Sequence, residues 1–499
     1  MEFLFDEVES LPKLAWVVLM RENVDTVTVQ HGPWVEASED FFVEGAWSGD
    51  FAAQSIESTT LMGSGGKITE DGLLLATPNH TLDRIYVYKE RDSLVASNSL
   101  PFLLSRAEDD LDMSFLFYDA LLASIIDGLE KYERVLPTEK GIGVHLYYHC
   151  NLHISSDLTI AERPKAAIRD FSDYLDYTGF LEEQVAAICA NAGHASRKVR
   201  YSPVTTISSG YDSPACAVLA RNAGCQVSLT IAEARGDHKE DSGHLIAEQL
   251  GLEVKTFERL AYRRNSSFLE AECSGGPTEF SSLADDLAQT ILFVGFHGGE
   301  AWNIDSTPSR SIVRGDASGF GLTELRLRTG FIQMAIPFIG CTSHPSIHRI
   351  SNSAEMRPWS LGNRYDRPIP RRLVEECGVD RQLFGMQKKA AGVFVTQEGI
   401  QETLSERSFR DFSEFCETYW RWSFGVKSGV VRAARSLAVL NKRASRVLGR
   451  VIRRATGLNV KIPILLPRPL RIRTYGYAGR EALLLHWGVR KMMLRYVDR

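Results

Sequence analysis

The chain reads as an α/β protein: a β-rich first part, a domain built on a parallel sheet, and a basic, mainly helical C-terminal extension. Three observations predict this. Residues 1–155 carry short alternating apolar stretches broken by Gly, Asp and Asn, the period-two pattern of half-buried strands and hairpins. Residues 204–257 alternate apolar strands with helical text in a β-α-β-α-β run, which is the signature of a parallel sheet. Residues 425–499 hold 18 Lys or Arg against 2 Asp or Glu, a net +16 that leaves −22 on the first 424 residues.

At 499 residues the chain exceeds one ordinary core, so two domains plus an appendage are expected. Its 44% hydrophobic and 24% charged residues fit a soluble globular protein. No apolar run approaches the ~18 residues that span a bilayer, and the start, Met1 to Glu7, is acidic where a signal peptide is basic. The expected location is therefore the cytoplasm, with peripheral membrane contact open to the basic segment. Eight scattered cysteines (Cys150, Cys189, Cys216, Cys225, Cys273, Cys341, Cys377 and Cys416) form no Cys-x-x-Cys pair and read as buried or incidental thiols in a reducing compartment.

Within the first part, residues 15–20, 73–76 and 84–88 are strands, 115–132 have helical spacing, and 136–158 return to strands. His145, His149 and His153 recur every four residues, which on a helix would make a metal face. Their neighbours are β-formers, and on a strand the three would spread over about 26 Å, so the strand reading is preferred. Residues 171–192 form an amphipathic helix. A strand at 204–207 then opens into a polar turn and a helix, followed by a strand at 227–232, a helix at 240–250 stopped by Gly251, and a strand at 253–257. Sites in such sheets lie at the carboxyl ends of the strands.

The turn is Ser208-Ser209-Gly210-Tyr211-Asp212-Ser213. It runs from a buried strand into a helix start, whose unpaired N–H groups and partial positive charge suit an anion, most naturally a phosphate. Hydroxyls of Ser208, Ser209 and Ser213 add donors, Gly210 permits a strained turn, and Asp212 is either a cap or a magnesium-side carboxylate. A second apolar strand opens into another glycine-rich turn at Gly295-Phe296-His297-Gly298-Gly299-Glu300. There His297 could take a proton, having an ordinary pKa near neutrality, or fix the turn by hydrogen bonding. Residues 311–319 read as a loop near the mouth of the site. Glu324, Arg326 and Arg328 could pair with one another or bind a carboxylate. Residues 381–392 contain Lys388 and Lys389, cations suited to charge building on a departing phosphate group.

The first turn resembles the pyrophosphate loop Ser-Gly-Gly-x-Asp-Ser of the N-type ATP pyrophosphatases, with Ser209 in place of the first glycine. The flanking text is most similar to the glutamine-dependent asparagine synthetases and their relatives, the β-lactam synthetases and lasso-peptide cyclases. The resemblance implies a degenerate class II glutaminase-like sandwich over residues 1–160, a PP-loop (adenine nucleotide alpha-hydrolase-like) synthetase domain over 161–424, and a basic extension over 425–499. The family's glutaminase uses a cysteine at position 2. This chain has Glu2 and no cysteine before Cys150, so no thiol is available to release ammonia.

The same resemblance implies ATP and Mg2+ as cofactors. Ser208, Ser209, Gly210, Tyr211, Asp212 and Ser213 would meet the phosphates, Leu229 and Ile231 the adenine, and Gly295 and Gly298 the second phosphate-side turn. Asp212 and Glu300 would hold magnesium, and Lys388, with Lys389 second, would stabilise the leaving pyrophosphate. Phe296, Gly299, Gln333 and Ala335 depart from the family pattern. The implied function is an ATP-dependent amide-forming ligase that adenylates a small-molecule or peptide carboxylate, releases pyrophosphate and transfers the acyl group to an amine. The alternatives are an inactive scaffold of the same fold or a PP-loop tRNA-modifying enzyme. For the basic extension the candidate partners are an anionic membrane surface, an acidic partner, nucleic acid or the acidic body itself. The absence of an aromatic-interleaved recognition motif argues against nucleic acid.

Overall fold

A computed structural model describes residues 1–420 and 479–497, except 58, 236–239, 266, 268, 274–275 and 364, together with ten helical positions between 426 and 451. The chain is mixed α/β, with three sheets among the described residues and a helical C-terminal region.

Thirteen strands come first: β1 (Glu2–Glu7), β2 (Trp16–Arg21), β3 (Thr26–His31), β4 (Glu36–Ser38), β5 (Phe41–Trp47), β6 (Leu61–Thr69), β7 (Gly72–Ala76), β8 (Ile85–Lys89), β9 (Ser93–Ser97), β10 (Val135–Leu136), β11 (Val144–Tyr147), β12 (Cys150–Ile154) and β13 (Ile160–Pro164). They form one sheet in the order β1-β3-β2-β9-β8-β11-β10 and another in the order β13-β12-β7-β6-β5-β4. A shared core makes the two a sandwich: Trp16, Val18 and Val87 of the first meet Phe42, Leu75 and Leu152 of the second. The period of two in β2 explains the layering. Trp16 and Val18 enter the inter-sheet core, while Val17 faces the opposite side with the helix α1 (Leu100–Ala107).

The helix expected over 115–132 is two short pieces, α2 (Tyr118–Ala123) and a 3-10 turn (Ser124–Asp127). The Ser124 hydroxyl donates to the Leu121 carbonyl at 2.6 Å and accepts from the Glu133 N–H at 2.7 Å, side-chain bonds that compete with a helical ladder. His145 lies in β11, His149 in the connecting turn and His153 in β12, and β11 and β12 belong to different sheets. Among the described residues no group of three or more side chains could hold a metal ion.

The third sheet is wholly parallel. It contains β14 (Ser202–Thr206), β15 (Val227–Ile231), β16 (Glu253–Phe257), β17 (Thr290–Val294) and β18 (Phe331–Ala335), in the order β16-β15-β14-β17-β18. Both faces are covered, so β17 is apolar throughout. Ile291 and Phe293 pack with α3 (Tyr174–Ala192) and α4 (Asp212–Asn222), while Leu292 and Val294 join the core on the other face. The chain builds outward from β14 through β15 to β16, then returns to β17 on the other side. A crevice opens at the carboxyl ends of β14 and β17, where the order reverses.

The expected helix over 240–250 is helical only from His244 to Leu250, because Ser242 forms a β-bridge with Ser208. All eight cysteines are free thiols, six of them buried. Cys216 packs within α4 and donates to the Val294 carbonyl.

The end of the basic extension is part of the body. Helix Leu484–Met493 packs on α1, Tyr496 stacks on Phe102 at 4.6 Å, and the Trp487 indole donates to Asp411 at 2.7 Å. Among the described residues no helix is long and apolar enough to cross a membrane. Of the basic run at 432–454 only eight positions fall within the described residues, and 468–475 lie wholly outside them.

Candidate functional site

A cavity of about 330 Å³ opens at the reversal between β14 and β17. Its floor is the turn after β14. The Ser208 and Ser213 hydroxyls lie 2.8 Å apart, the Ser208 N–H donates to Ser213 Oγ at 3.0 Å, and the Gly210 N–H donates to Ser208 Oγ at 3.3 Å. Helix α4 starts at Asp212 without a side-chain cap on Tyr211, which leaves its first N–H groups for an incoming acceptor. Asp212 is thus the first helical residue and not the cap. Gly210 does not have a positive φ, and a Cβ there would meet nothing nearer than 3.5 Å. Backbone strain therefore does not require this glycine.

Ser209 departs from expectation. Its hydroxyl and amide both donate to Asp241 Oδ1, at 2.7 and 3.2 Å, and it does not line the cavity. The bridge between Ser208 and Ser242 brings Asp241 alongside and draws Ser209 away. Tyr211 is fully buried, and its hydroxyl accepts from Arg371 Nη2 at 2.9 Å. Leu229 and Ile231 line the cavity with Leu283, Phe280 and Phe296, an apolar wall suited to a flat ring.

The second turn wraps around Asp212. A Cβ on Gly295 would come 2.6 Å from Asp212 Cβ, and one on Gly298 would come 2.6 Å from Asp212 Oδ1. These glycines allow the turn to close on the carboxylate. Gly295, Gly299 and Glu300 face the cavity, whereas Gly298 sits behind Asp212 and does not line it. His297 is the left-handed residue of the turn, with φ 77. Its ring stacks on Phe338 at 4.5 Å, and Nδ1 has no hydrogen-bond partner among the described residues. Burial, with Arg314 nearby, holds its pKa well below the ordinary histidine range, so it is neutral at pH 7 and fixes the turn by stacking.

Asp212 pairs with Arg367, whose guanidinium also stacks on Tyr365 at 4.9 Å. Burial opposes the Arg367 charge, but Asp212 outweighs it and raises its pKa. The other carboxylate oxygen, Oδ1, is buried without a partner among the described residues. Asp212 and Glu300 line one cavity, with no third clustered ligand among the described residues. That set does not form an all-protein cage; it fits Mg2+ held by one or two carboxylates, water and substrate phosphates.

Lys388 and Lys389 line the opposite wall. Lys389 Nζ donates to the Glu240 carbonyl at 2.8 Å. Lys388 is exposed, and its charge acts on Asp316.

Three groups on the wall escaped assignment from the sequence. Arg314 is buried, stacks on Phe320 at 4.3 Å and donates through Nη2 to the Ser318 carbonyl. Among the described residues its Nε and Nη1 have no hydrogen-bond partners, and burial lowers its pKa to about 10. Glu279 is buried and accepts from the Val393 N–H at 2.8 Å, yet burial raises its pKa to about 7. Asp316 accepts from the Ser318 N–H at 3.0 Å; burial opposes ionisation, but Ser318 and Arg314 keep its pKa below the ordinary value. All three come from loops or single turns, and only their charge could have marked them.

Glu324, Arg326 and Arg328 lie away from this cavity and do not pair with one another. Glu324 accepts from Ser99 and Tyr496 at 2.7 Å each, Arg326 contacts Glu44 and Asp83 at 3.1 Å each, and Arg328 Nη2 donates to Glu272 at 3.1 Å. The helix Thr323–Thr329 faces the sandwich and the C-terminal residues, so its charges meet partners there. The chain matches no family model and no curated protein, so its chemistry is argued from this geometry.

Proposed function

We propose that the chain is an asparagine synthetase-like, ATP-dependent amide-forming ligase without glutaminase activity of its own. It adenylates a substrate carboxylate, releases pyrophosphate and passes the acyl group to an amine. The observation that carries this reading is the closure of the second, glycine-bearing turn on Asp212 of the first at the reversal of the parallel sheet, in a cavity also lined by a buried guanidinium whose Nε and Nη1 have no hydrogen-bond partner among the described residues. The PP-loop assignment is supported by the β16-β15-β14-β17-β18 order, and the degenerate glutaminase-like assignment by the two-sheet sandwich with Glu2 at the nucleophile position.

In this reading the α4 amides with Ser208 and Ser213 hold phosphate oxygens, and Leu229 and Ile231 flank the adenine. Arg314 and Lys388 meet the charge that develops on the departing pyrophosphate. Mg2+ held with Asp212 and Glu300 would neutralise phosphate charge as a Lewis acid. Glu279, with proton affinity near neutrality, is the candidate to accept the proton lost by the amine.

The test is an assay of phosphate products with magnesium, ATP and pools of carboxylic acids and peptides. AMP and pyrophosphate are expected, and Asp212→Ala should abolish both. ADP with orthophosphate, or an unaffected variant, contradicts the ligase reading. The pairing of Asp212 with Arg367 favours a second reading, a scaffold whose key carboxylate has been neutralised. Under that reading calorimetry finds no ATP binding with magnesium.

A further inference from the structure

A second cavity, of about 340 Å³, lies where the sandwich, the parallel-sheet half and the helix Leu484–Met493 meet. That volume is in the range of pockets that enclose small organic molecules. Leu100 and Leu122 from the first part of the chain, Phe320 and Phe394 from the second, and Val489 and Met492 from the helix give it apolar walls. One segment separates the two cavities: Arg314, Gly315, Asp316 and Ser318 line the first, while Ala317, Phe320 and Gly321 line the second.

Arg84 brings a charge into this apolar wall. Only 5% of the residue is exposed. Nη2 donates to the Leu82 carbonyl at 3.1 Å, and Nε has no hydrogen-bond partner among the described residues. The adjacent carboxylate, Asp83, is taken up by Arg326 at 3.1 Å and by the Thr323 hydroxyl at 2.6 Å. The rings of Tyr86 and Tyr148, 5.6 and 5.0 Å from the guanidinium carbon, favour the charge without neutralising it.

The carboxylates of the same wall are already matched. Glu272 accepts from Arg328 and Arg495, Glu324 accepts from Ser99 and Tyr496, and Asp119 is engaged as well. A guanidinium stays protonated throughout the physiological range and carries five N–H donors, so Arg84 has donors left for an anion beside an apolar space. A ligand that supplies both an anionic head and an apolar body satisfies the wall completely. A cationic head would be repelled by Arg84, and a wholly apolar ligand would leave its donors unmet.

We propose that this cavity binds a monocarboxylic acid with an apolar body about the size of an eight-carbon chain, its carboxylate on Arg84 and its body against Leu100, Leu122, Val489 and Met492. The site is built from its own residues and stands whether or not the ligase reading does.

The test is calorimetry of the full chain with octanoate as the probe. Octanoate should bind. Octanol and octylamine, which lack the carboxylate, should bind at least ~10-fold more weakly, as should butyrate, which buries less chain. Arg84→Met should lose at least ~10-fold in octanoate affinity. Leu122→Trp keeps the arginine and fills the cavity from a half-buried position; it should lose as much while melting in one transition like the parent. Arg84 and Leu122 line the second cavity and not the first, so an acid seated on Arg314 would bind both variants like the parent, and that result overturns the proposal. Failure of octanoate to bind, or equal binding of octanol, octylamine or butyrate, overturns it too.

Discussion

Arg314 separates binding from stability. Its buried guanidinium leaves Nε and Nη1 without hydrogen-bond partners among the described residues, and unmet buried donors weaken a fold while offering strong bonds to an anion. Arg314→Met should therefore keep or raise the melting temperature while cutting ATP affinity at least ~10-fold, as calorimetry would read. A variant that melts earlier and still binds ATP would show the arginine to be structural. Glu279 is the titrating counterpart. Burial raises its pKa from the ordinary 4.5 to about 7, so the carboxylate that can accept a proton accumulates as pH rises through 7. Amide formation should rise over the same interval, and Glu279→Gln should flatten that limb and slow the reaction ~100-fold. Stability moves the opposite way. The neutral buried carboxyl contributes its full stability below 4.5, and that contribution is lost as pH rises through about 7. The glutamine variant should therefore lose less melting temperature than the parent between those values.

At the scale of elements, the two turns differ in what their glycines do. Gly298→Ala places a methyl 2.5 Å from the Asp212 carboxylate carbon, so the turn must shift; a loss of about 1–3 kcal/mol in urea unfolding is expected, together with loss of product formation. Gly210→Ala meets nothing nearer than 3.5 Å, so its stability should stay within about 0.5 kcal/mol of the parent, while ATP binding weakens because the added methyl lines the cavity. Equal unfolding midpoints for the two variants would contradict this division. The same elements show what was legible in the sequence. Short apolar runs bounded by turn residues located β14 to β17, and strand-turn-helix order located the first turn, because a strand covered on both faces is apolar along its length. Arg314, Arg367 and Glu279 sit on aperiodic segments, where function depends on tertiary placement that no local pattern encodes. Ser209 was misplaced for the same reason: its partner, Asp241, is 32 residues away. The 115–132 helix failed because the Ser124 hydroxyl satisfies backbone groups that helical spacing alone would give to the helix.

At the scale of the whole molecule, the sandwich and the parallel sheet are joined by charge as well as by apolar contact. Arg326, fully buried on the helix Thr323–Thr329, meets Glu44 of β5 and Asp83, each at 3.1 Å. Glu44 also accepts from the Ser64 hydroxyl at 2.8 Å and from the Asn98 amide at 3.3 Å. Burial opposes the Arg326 charge, but the two carboxylates outweigh it. Such a triad adds little over a well-packed apolar core, yet removing one member strands the others. Arg326→Leu should therefore cost about 3–5 kcal/mol in urea unfolding followed by tryptophan fluorescence. Adding Glu44→Gln, which removes one stranded charge and keeps an acceptor for Ser64, should recover part of that loss. A loss below about 1 kcal/mol, or no recovery in the double variant, would mean that apolar contacts alone join the two halves. The coupling also bears on the cavity, because Ile291 to Val294 of β17 position its second turn, and β17 lies beside β18, whose preceding helix carries Arg326.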